Sequence, residues 1–149
     1  MAIHFTSKEL KNRKEKVLKN MNDSNIDALL MFKQESMYWL TGYDTFGYVF
    51  FQCLILDKSG NVVLLTRAPD LRQAQNTSNI KDIRIWIDKD DANPNDDLKK
   101  ILNELKLEGK KIGIEYNAYG LTGRNAMQLN KSLNGLYKIE DKSELISKL

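Results

Sequence analysis

The stretch that most constrains the fold of this chain is a short apolar run near the N-terminus, IDALLMF at residues 26–32. Asp27 is its one polar residue. A run this short and this continuous is typical of a β-strand that is buried on both faces, and such strands occur in sheets covered by helices on both sides. Further apolar runs follow, and helical patterns separate most of them. This alternation predicts an α/β fold.

The remaining elements can be placed from apolar spacing and from the residues that begin and end helices. Strands are predicted at residues 26–32, 49–56, 62–66, 83–87, 111–115 and 136–140. About five helices are predicted, beginning at Thr6 or Ser7, Ser36, Pro69, Asn93–Pro94 and Thr122, and Ser143 to Leu149 begins another. The turn at residues 58–61 favours an antiparallel hairpin between the second and third strands. We therefore expect one domain, residues 1–149, with a mixed six-stranded sheet.

Composition and charge argue against several classes of protein. The net charge of +3 is divided between a basic first helix and an acidic stretch at residues 88–97, whereas a nucleic-acid surface would show one basic face with interleaved aromatics. No apolar run approaches the ~20 residues of a membrane helix, and the N-terminus lacks the apolar core of a signal peptide. The one cysteine, Cys53, lies in an apolar run, so we expect a buried, inert thiol. The expected class is a soluble cytoplasmic domain with no nucleic-acid or membrane partner.

The residues that usually carry catalysis are nearly absent. His4 is the one histidine, and its place near the N-terminus favours an exposed side chain. One His and one Cys provide no common zinc site, no Ser-His-Asp triad and no Cys-His pair. The acidic residues at 88–97 lack the spacing of a calcium loop and are expected to be solvated. We expect no metal and no cofactor in this chain.

Two carboxylates lie where a ligand could reach them. Glu115 ends the strand KIGIE, with Tyr119 close behind, and ligands favour strand ends in open α/β sheets. The favoured interpretation is that Glu115 bonds to neighbouring backbone or to a lysine. Asp44 is favoured as a turn residue next to Gly42, and contact with a polar ligand is the alternative.

The stretch ESMYWLTGYDTFGYVFF at residues 35–51 is unusually aromatic. It holds three of the six Tyr, three of the five Phe and one of the two Trp. We expect a short helix ending near Gly42, then a mobile or semi-exposed loop, then a return to the core at Val49. Trp39, Phe50 and Phe51 are predicted to be core residues. Burial and exposure stay about equally open for Tyr43, Phe46 and Tyr48, and an exposed cluster of this kind usually marks a surface for a partner or ligand.

The segment MYWLTGY at residues 37–43, between the run IDALLMF and the aromatic loop, resembles the N-terminal domain of the creatinase, prolidase and aminopeptidase P family. Other parts match in the family's order: a basic first helix, RKEKVLKNMNDSNID; a hairpin ending in LLTR; the strands IRIWID and KIGIE; and the closing phrase IEDKSELISKL. The resemblance covers essentially the whole chain.

This resemblance implies a three-layer α/β domain with a ribonuclease H-like motif, followed in the parent protein by a catalytic domain of the pita-bread fold. In the peptidases of the family that second domain, which this chain lacks, holds two divalent metal ions (Mn, Co or Zn). The chain alone is then an inactive, non-catalytic domain of a Xaa-Pro dipeptidase-like, aminopeptidase-like or creatinase-like hydrolase. Its implied partners are its own catalytic domain, a second subunit in a homodimer, and a small-molecule or dipeptide substrate of the parent.

The resemblance also implies a role for the aromatic loop. Creatinase-like relatives carry a Phe and, two residues on, an Arg that reach the substrate of the partner subunit, and these positions fall on Phe46 and Tyr48. Because Tyr48 stands where those relatives have Arg, it offers a hydroxyl and no charge. Together with Tyr43 and Asp44, these residues are predicted to lie near the substrate. The segment is more similar to Xaa-Pro dipeptidase-like and ectoine hydrolase-like members than to creatinase itself.

Two other functions stay open. One is a stand-alone small-molecule-binding α/β domain with its pocket at the strand ends near Glu115 and Tyr119. The other is a small hydrolase that uses Asp44 or Glu115 as a base, for which the chain offers no nucleophile, metal set or usable histidine. Reading the gene beyond the codon for Leu149 would distinguish the stand-alone binding domain from the function that the resemblance implies.

Overall fold

The structure is a computed structural model that describes residues 3–149. Its helices are α1 (Ser7–Asp23), α2 (Gln34–Thr41), α3 (Leu71–Thr77), α4 (Pro94–Glu104) and α5 (Gly123–Leu133). Its strands are β1 (Ala28–Met31), β2 (Cys53–Asp57), β3 (Val62–Arg67), β4 (Asp82–Trp86), β5 (Lys111–Ile114) and β6 (Lys138–Asp141), and a 3-10 turn, Ala68–Asp70, precedes α3. All six predicted strands are present.

The six strands form one sheet in the order β4-β3-β2-β1-β5-β6. β2 pairs antiparallel with both of its neighbours, β1 and β3, while the other pairs are parallel. The predicted hairpin and the mixed α/β sheet are confirmed. Because β2 alone is reversed, the carboxyl ends of the other five strands and the start of β2 lie along one side of the sheet, which we call the carboxyl edge.

Helices cover the sheet on both faces, which confirms the three-layer α/β arrangement. α1, α2 and α3 pack on one face and α4 and α5 on the other, each group over its own apolar cluster. Along β1, Ala28 and Leu30 belong to the cluster under α4 and α5, and Leu29 and Met31 belong to the opposite cluster. All four are fully buried. This two-sided burial explains why the run at residues 26–32 is apolar at nearly every position.

Most of the predicted helix ends are confirmed. The Thr6 hydroxyl accepts a hydrogen bond from the backbone N–H of Glu9 and so caps α1. Gly42 ends α2 with a φ of 84°, a left-handed conformation that favours glycine. The prediction that Ser36 caps α2 is wrong, because the helix begins at Gln34 and Ser36 lies inside its first turn.

Two predicted segments differ in the structure. The return to the core at Val49 is wrong, because the chain turns at residues 48–50, where the Phe50 N–H donates to the Gly47 carbonyl, and β2 begins only at Cys53. The helix predicted from Ser143 is also wrong. The chain makes successive turns there, and the side chains of residues 145 and 146 pack into the cluster under α1 and α2.

Three simpler predictions are confirmed. Cys53 is fully buried, and burial raises the pKa of its thiol well above the usual value. His4 is exposed. Of the acidic residues at 88–97, Asp88, Asp90 and Asp91 are exposed in the connection between β4 and α4, and in the first turn of α4 Asp96 is exposed and Asp97 half-buried. Within residues 3–149, no helix has the length and apolar character needed to cross a membrane.

Candidate functional site

The chain changes direction across the sheet between β1 and β5. After β1 it continues through β2, β3 and β4 on one side, and it then returns to β5 and β6 on the other. The crevice between the carboxyl ends of two such strands is the position at which open α/β sheets bind ligands. A groove of about 970 Å³ opens there, with walls that include residues 33–36, Trp39, Tyr48, Tyr119 and Leu149. We call it the switch-point groove.

Glu115, the residue after β5, lies behind the wall of this groove with no exposed surface. Its Oε1 accepts hydrogen bonds from the backbone N–H groups of Phe32 and Lys33, both at 3.1 Å, and its Oε2 accepts one from the Ser36 hydroxyl at 2.6 Å. Burial raises the pKa of Glu115 to about 7, although these donors oppose the shift. The favoured interpretation, bonding to nearby backbone, is confirmed. A buried carboxyl group with no exposed surface cannot reach a substrate, which argues against Glu115 as a catalytic base.

Exposed aromatic side chains gather on the carboxyl edge beside the groove. Phe46 is 91% exposed and Tyr119 is 80% exposed, while Tyr48 and Phe50 are partly exposed. The rings of Tyr48 and Tyr119 meet edge to face with their centroids 6.3 Å apart, so the loop at residues 42–52 and the loop after β5 form one surface. We call Phe46, Tyr48, Phe50 and Tyr119 the aromatic edge. That Phe46 and Tyr48 approach a substrate stays a prediction.

Tyr43 and Asp44 are placed differently. Tyr43, for which the sequence leaves burial and exposure about equally open, is fully buried. Its hydroxyl donates to Gln52 Oε1 at 2.6 Å and lies 3.3 Å from the Thr66 hydroxyl, and burial raises the pKa of Tyr43 to about 12. Asp44 is half-buried, and its backbone N–H donates to the Thr77 hydroxyl at 3.0 Å. Tyr43 therefore anchors the loop from the core side.

A second polar network anchors the loop at Thr45. The Thr45 hydroxyl donates to Asp70 Oδ1 at 2.9 Å, and Arg67 Nε donates to Asp70 Oδ2 at 3.1 Å. The guanidinium carbon of Arg67 lies 3.5 Å from the ring centre of Phe50, a cation–π contact. Gly47 lies against Asp70, where a β-carbon would come within 2.8 Å of a carboxylate oxygen. The loop predicted to be mobile or semi-exposed is thus exposed on its outer side and held by hydrogen bonds on its inner side.

The three aromatic residues predicted to be core residues have different environments. Phe51 is buried, as predicted, and its ring makes edge-to-face contacts with Phe32 and Trp86. Trp39 is partly buried and lines the switch-point groove. The prediction for Phe50 is wrong, because its ring lies at the surface over a guanidinium group.

Three residues are absent from the site residues predicted from the sequence. They are the anchoring residues Arg67 and Asp70, and Gly120, which lies against the backbone of Phe50. Arg67 ends the strand VVLLTR at the carboxyl edge, and that position is the signal that could have identified it. A glycine in the loop after a strand, such as Gly120, is a signal for close approach of another backbone segment. The sequence carries no local signal for Asp70, whose partner Thr45 lies in a distant loop.

The described part of the chain assembles no metal centre. Among residues 3–149, no three His, Cys, Asp or Glu side chains lie together in a way that could hold a metal ion.

The fold and the aromatic edge define a class of protein. It is a three-layer α/β domain with a mixed sheet, and an anchored, exposed aromatic loop lies at the carboxyl edge of that sheet. A family model, the Creatinase/Prolidase N-terminal domain, matches residues 13–149. The chain belongs to this family.

Known relatives extend well beyond the matched region. The chain is 26% identical over 138 residues to an uncharacterized hydrolase/peptidase of Sinorhizobium fredii, covering 88% of this chain and 35% of that protein. It is 32% identical over 90 residues to the ectoine hydrolase of Halomonas elongata, covering 60% of this chain and 21% of that protein. The solved prolidase of Thermococcus sibiricus has a similar fold, with a TM-score of 0.76 and 19% identity over 96% of this chain and 37% of that one. The chain therefore spans well under half the length of each of these proteins.

Proposed function

We propose that this chain is the non-catalytic N-terminal domain of a longer, metal-dependent hydrolase of the Xaa-Pro peptidase or ectoine hydrolase type. Its aromatic edge contacts a second subunit and forms part of the wall of that subunit's substrate site. Two findings support the assignment as one domain of a longer hydrolase. The chain belongs to the family, and it spans only 35% of the Sinorhizobium fredii protein and 21% of the ectoine hydrolase. The clustering of exposed apolar side chains on the carboxyl edge is the observation that carries the role of the aromatic edge.

This clustering is pronounced. Nine large apolar side chains are exposed in the described part of the chain, and six of them lie at the carboxyl edge: Phe46, Tyr48, Val49, Phe50, Ile87 and Tyr119. A concentration of this kind usually marks a surface that another molecule covers. The hydrogen bonds of Tyr43 and Asp70 hold the loop in this conformation, so the exposure is part of the folded structure.

The chemistry of the aromatic edge favours an apolar or cyclic part of a ligand. Aromatic rings pack well on apolar groups, and the Tyr48 hydroxyl offers a hydrogen bond without a charge. Catalysis, and the Mn, Co or Zn pair that supports it, belong in this proposal to the C-terminal domain of the longer protein. A homodimer in the cytoplasm completes the proposal, and a chain with one cysteine, and so no internal disulfide, suits that compartment.

The proposal is tested by reading the gene beyond the codon for Leu149 and expressing the full reading frame. The resemblance to the family implies that an R-x-x-K-S-x-x-E segment should follow, and after it Asp, Asp, His, Glu and Glu as metal ligands. The isolated chain should hydrolyse no Xaa-Pro dipeptide with added manganese or cobalt, and clear turnover by the pure chain would refute the proposal.

Variants of the full-length protein test the role of the aromatic edge. Phe46→Ala should raise KM or lower kcat without unfolding the protein, because its side chain is almost entirely exposed. Met127→Ala is the matched control, because Met127 is also an exposed apolar side chain but lies on α5. Equal effects of the two substitutions on turnover would contradict the assigned role.

The switch-point groove favours a second candidate function, a stand-alone domain that binds a small molecule. Its volume of about 970 Å³ is at the upper end of the range for small-molecule pockets. This second function would be supported if the gene ended at the codon for Leu149. Quenching of Trp39 fluorescence by a bound ligand would measure binding, because Trp39 lines the groove.

A further inference from the structure

One buried carboxyl group joins three elements around the switch-point groove. Glu115 follows β5, accepts hydrogen bonds from Phe32 and Lys33 after β1, and accepts a third from Ser36 in the first turn of α2. Ser36 itself lines the groove. The carboxyl group is therefore one hydrogen bond away from the groove wall, although it has no exposed surface.

All three partners of Glu115 donate a hydrogen bond to it, which is the arrangement that an ionised carboxylate requires. A carboxylate only accepts hydrogen bonds, and all three partners can donate. A carboxylic acid has an O–H that needs an acceptor, and a backbone N–H cannot accept. Among the three partners, only the Ser36 hydroxyl oxygen can take that role. Protonation of Glu115 therefore reverses the hydrogen bond, and the hydroxyl hydrogen of Ser36 has to turn towards another acceptor.

Two other titratable groups face this carboxyl group. The Lys33 ammonium group, at the start of α2, favours the ionised form and opposes the effect of burial, which raises the pKa of Glu115 to about 7. The Cys53 thiol, on β2, has its pKa raised well above the usual value by burial and by Glu115, so it stays protonated at neutral pH. Glu115 is thus the group in this cluster whose pKa burial moves towards neutrality.

We infer that Glu115 and Ser36 form a proton-operated clamp on α2: one proton gained or lost at the buried carboxyl group shifts the first turn of the helix and, with it, the wall of the switch-point groove. In the ionised form, three hydrogen bonds hold this turn against β1 and β5. In the protonated form, the bond to Ser36 is reversed and the two backbone N–H groups face a neutral oxygen, which is a weaker acceptor. The inference concerns this chain alone and does not depend on the proposed function.

The clamp is tested by NMR titration of the intact chain between pH 4 and 9. The side-chain carboxyl carbon of Glu115 and the indole N–H of Trp39, further along α2, should titrate together with a midpoint within about one unit of 7. The indole of Trp86, on β4, is the internal control and should not follow that transition.

Two glutamine variants complete the test. Glu115→Gln keeps the shape of the side chain and donates to Ser36 permanently, so it should abolish the Trp39 transition. Glu35→Gln is the matched control, because Glu35 lines the same groove but is exposed, and it should leave the transition unchanged. Titration of Glu115 alongside the exposed carboxylates would overturn the inference, and so would a Glu115 transition near neutrality that Trp39 does not follow. Both outcomes are read on the unmodified chain, so they stand even if a variant fails to fold.

Discussion

Gly120 lies directly against Phe50: a β-carbon on Gly120 would come within 2.6 Å of the Phe50 carbonyl oxygen. The loop after β5 thus contacts the backbone of the aromatic loop. We expect Gly120→Ala to force the loops apart and to lower the free energy of unfolding by about 1–3 kcal/mol. Denaturant unfolding measures that loss, and the nuclear Overhauser effect between the rings of Tyr48 and Tyr119 reports their separation.

Gly123→Ala is the matched control for this prediction. A β-carbon on Gly123 would have no neighbouring atom within 4 Å, and Gly123 is the first residue of α5. Because alanine has the higher helix propensity, the exchange should leave stability unchanged or raise it slightly. Equal destabilisation by the two substitutions would show that contact between the loops is not the cause.

Tyr43→Phe tests the anchor on the core side of the loop. The substitution leaves Gln52 Oε1 buried without the hydroxyl that donates to it at 2.6 Å. An unsatisfied buried acceptor costs about 1–3 kcal/mol, and equilibrium unfolding should show a loss of that size. Tyr48→Phe removes a hydroxyl from a partly exposed ring and should change stability by less than about 0.5 kcal/mol. A neutral Tyr43→Phe would contradict the anchoring role.

Asp70→Ala tests the second anchor. Asp70 is buried, and its removal takes away the acceptor of the Thr45 hydroxyl and the nearer of the two carboxylates that pair with Arg67. Breaking this pair leaves the largely buried guanidinium group with only the exposed Asp88 carboxylate, 3.9 Å from its Nη1, as a partner. Loss of a buried pair costs about 3–5 kcal/mol, and we expect a loss up to that size. The fluorescence and near-UV circular dichroism of the aromatic edge should change as well.

Asp82→Ala provides the comparison, because it breaks an Arg–Asp pair in which both side chains are partly exposed, with Arg84. Exposed pairs contribute about 0–1 kcal/mol. If Asp70→Ala destabilised the chain no more than Asp82→Ala, the loop would not depend on its buried network.

The raised pKa of Glu115 predicts how stability depends on pH. Burial raises this pKa from an ordinary value of 4.5 to about 7, so the folded chain holds the proton more tightly than the unfolded chain. The resulting stability is fully present below about pH 4.5 and is lost as the pH rises through 7, and the shift corresponds to roughly 3 kcal/mol. Urea unfolding should therefore show a lower free energy at pH 8 than at pH 5.

Glu115→Gln should remove this slope. The variant should match the wild-type chain near pH 5 and exceed its stability at pH 8, because glutamine carries no charge to bury. Hydrogen-bond partners lower the pKa values of Asp27, Glu140 and Asp141. Their contributions to the free energy of unfolding are therefore lost as the pH falls, and this loss occurs below the range of pH 5 to 8. A slope between pH 5 and 8 that persists in Glu115→Gln would assign it to another group.

The sheet could be predicted from the sequence because its signals are local. The side chains of Leu29 and Leu30 are buried on opposite faces of β1, and the apolar run reports both faces at once. Gly42 ends α2 in a conformation that glycine favours, and this too is a property of one residue. Signals of this kind place the helices and strands without knowledge of the rest of the chain.

The environment of each aromatic side chain could not be predicted in this way. Tyr43 and Phe50 both lie close to a glycine in the same loop, yet one is buried and the other exposed. Tyr43 is held in the core by Gln52 and Thr66, and Phe50 is covered by Arg67 on β3. These partners are brought near by pairing of β2 with β3, which the sequence of the loop does not encode.

β2 runs against its neighbours, and so the segment between β1 and β2 leaves and re-enters the sheet at the same edge. β3, β4, β5 and β6 all run in the same direction. The connection from each of these strands to the next therefore has to return the chain along the full length of a strand. Residues 32–52 join two neighbouring strand ends on the same side of the sheet, so this connection does not have to span the length of a strand. A substitution confined to the exposed side of the loop, as at Phe46, therefore leaves every strand in register. The contacts that this edge offers can thus be altered at exposed loop positions, while the buried anchors Tyr43 and Asp70 stay in place.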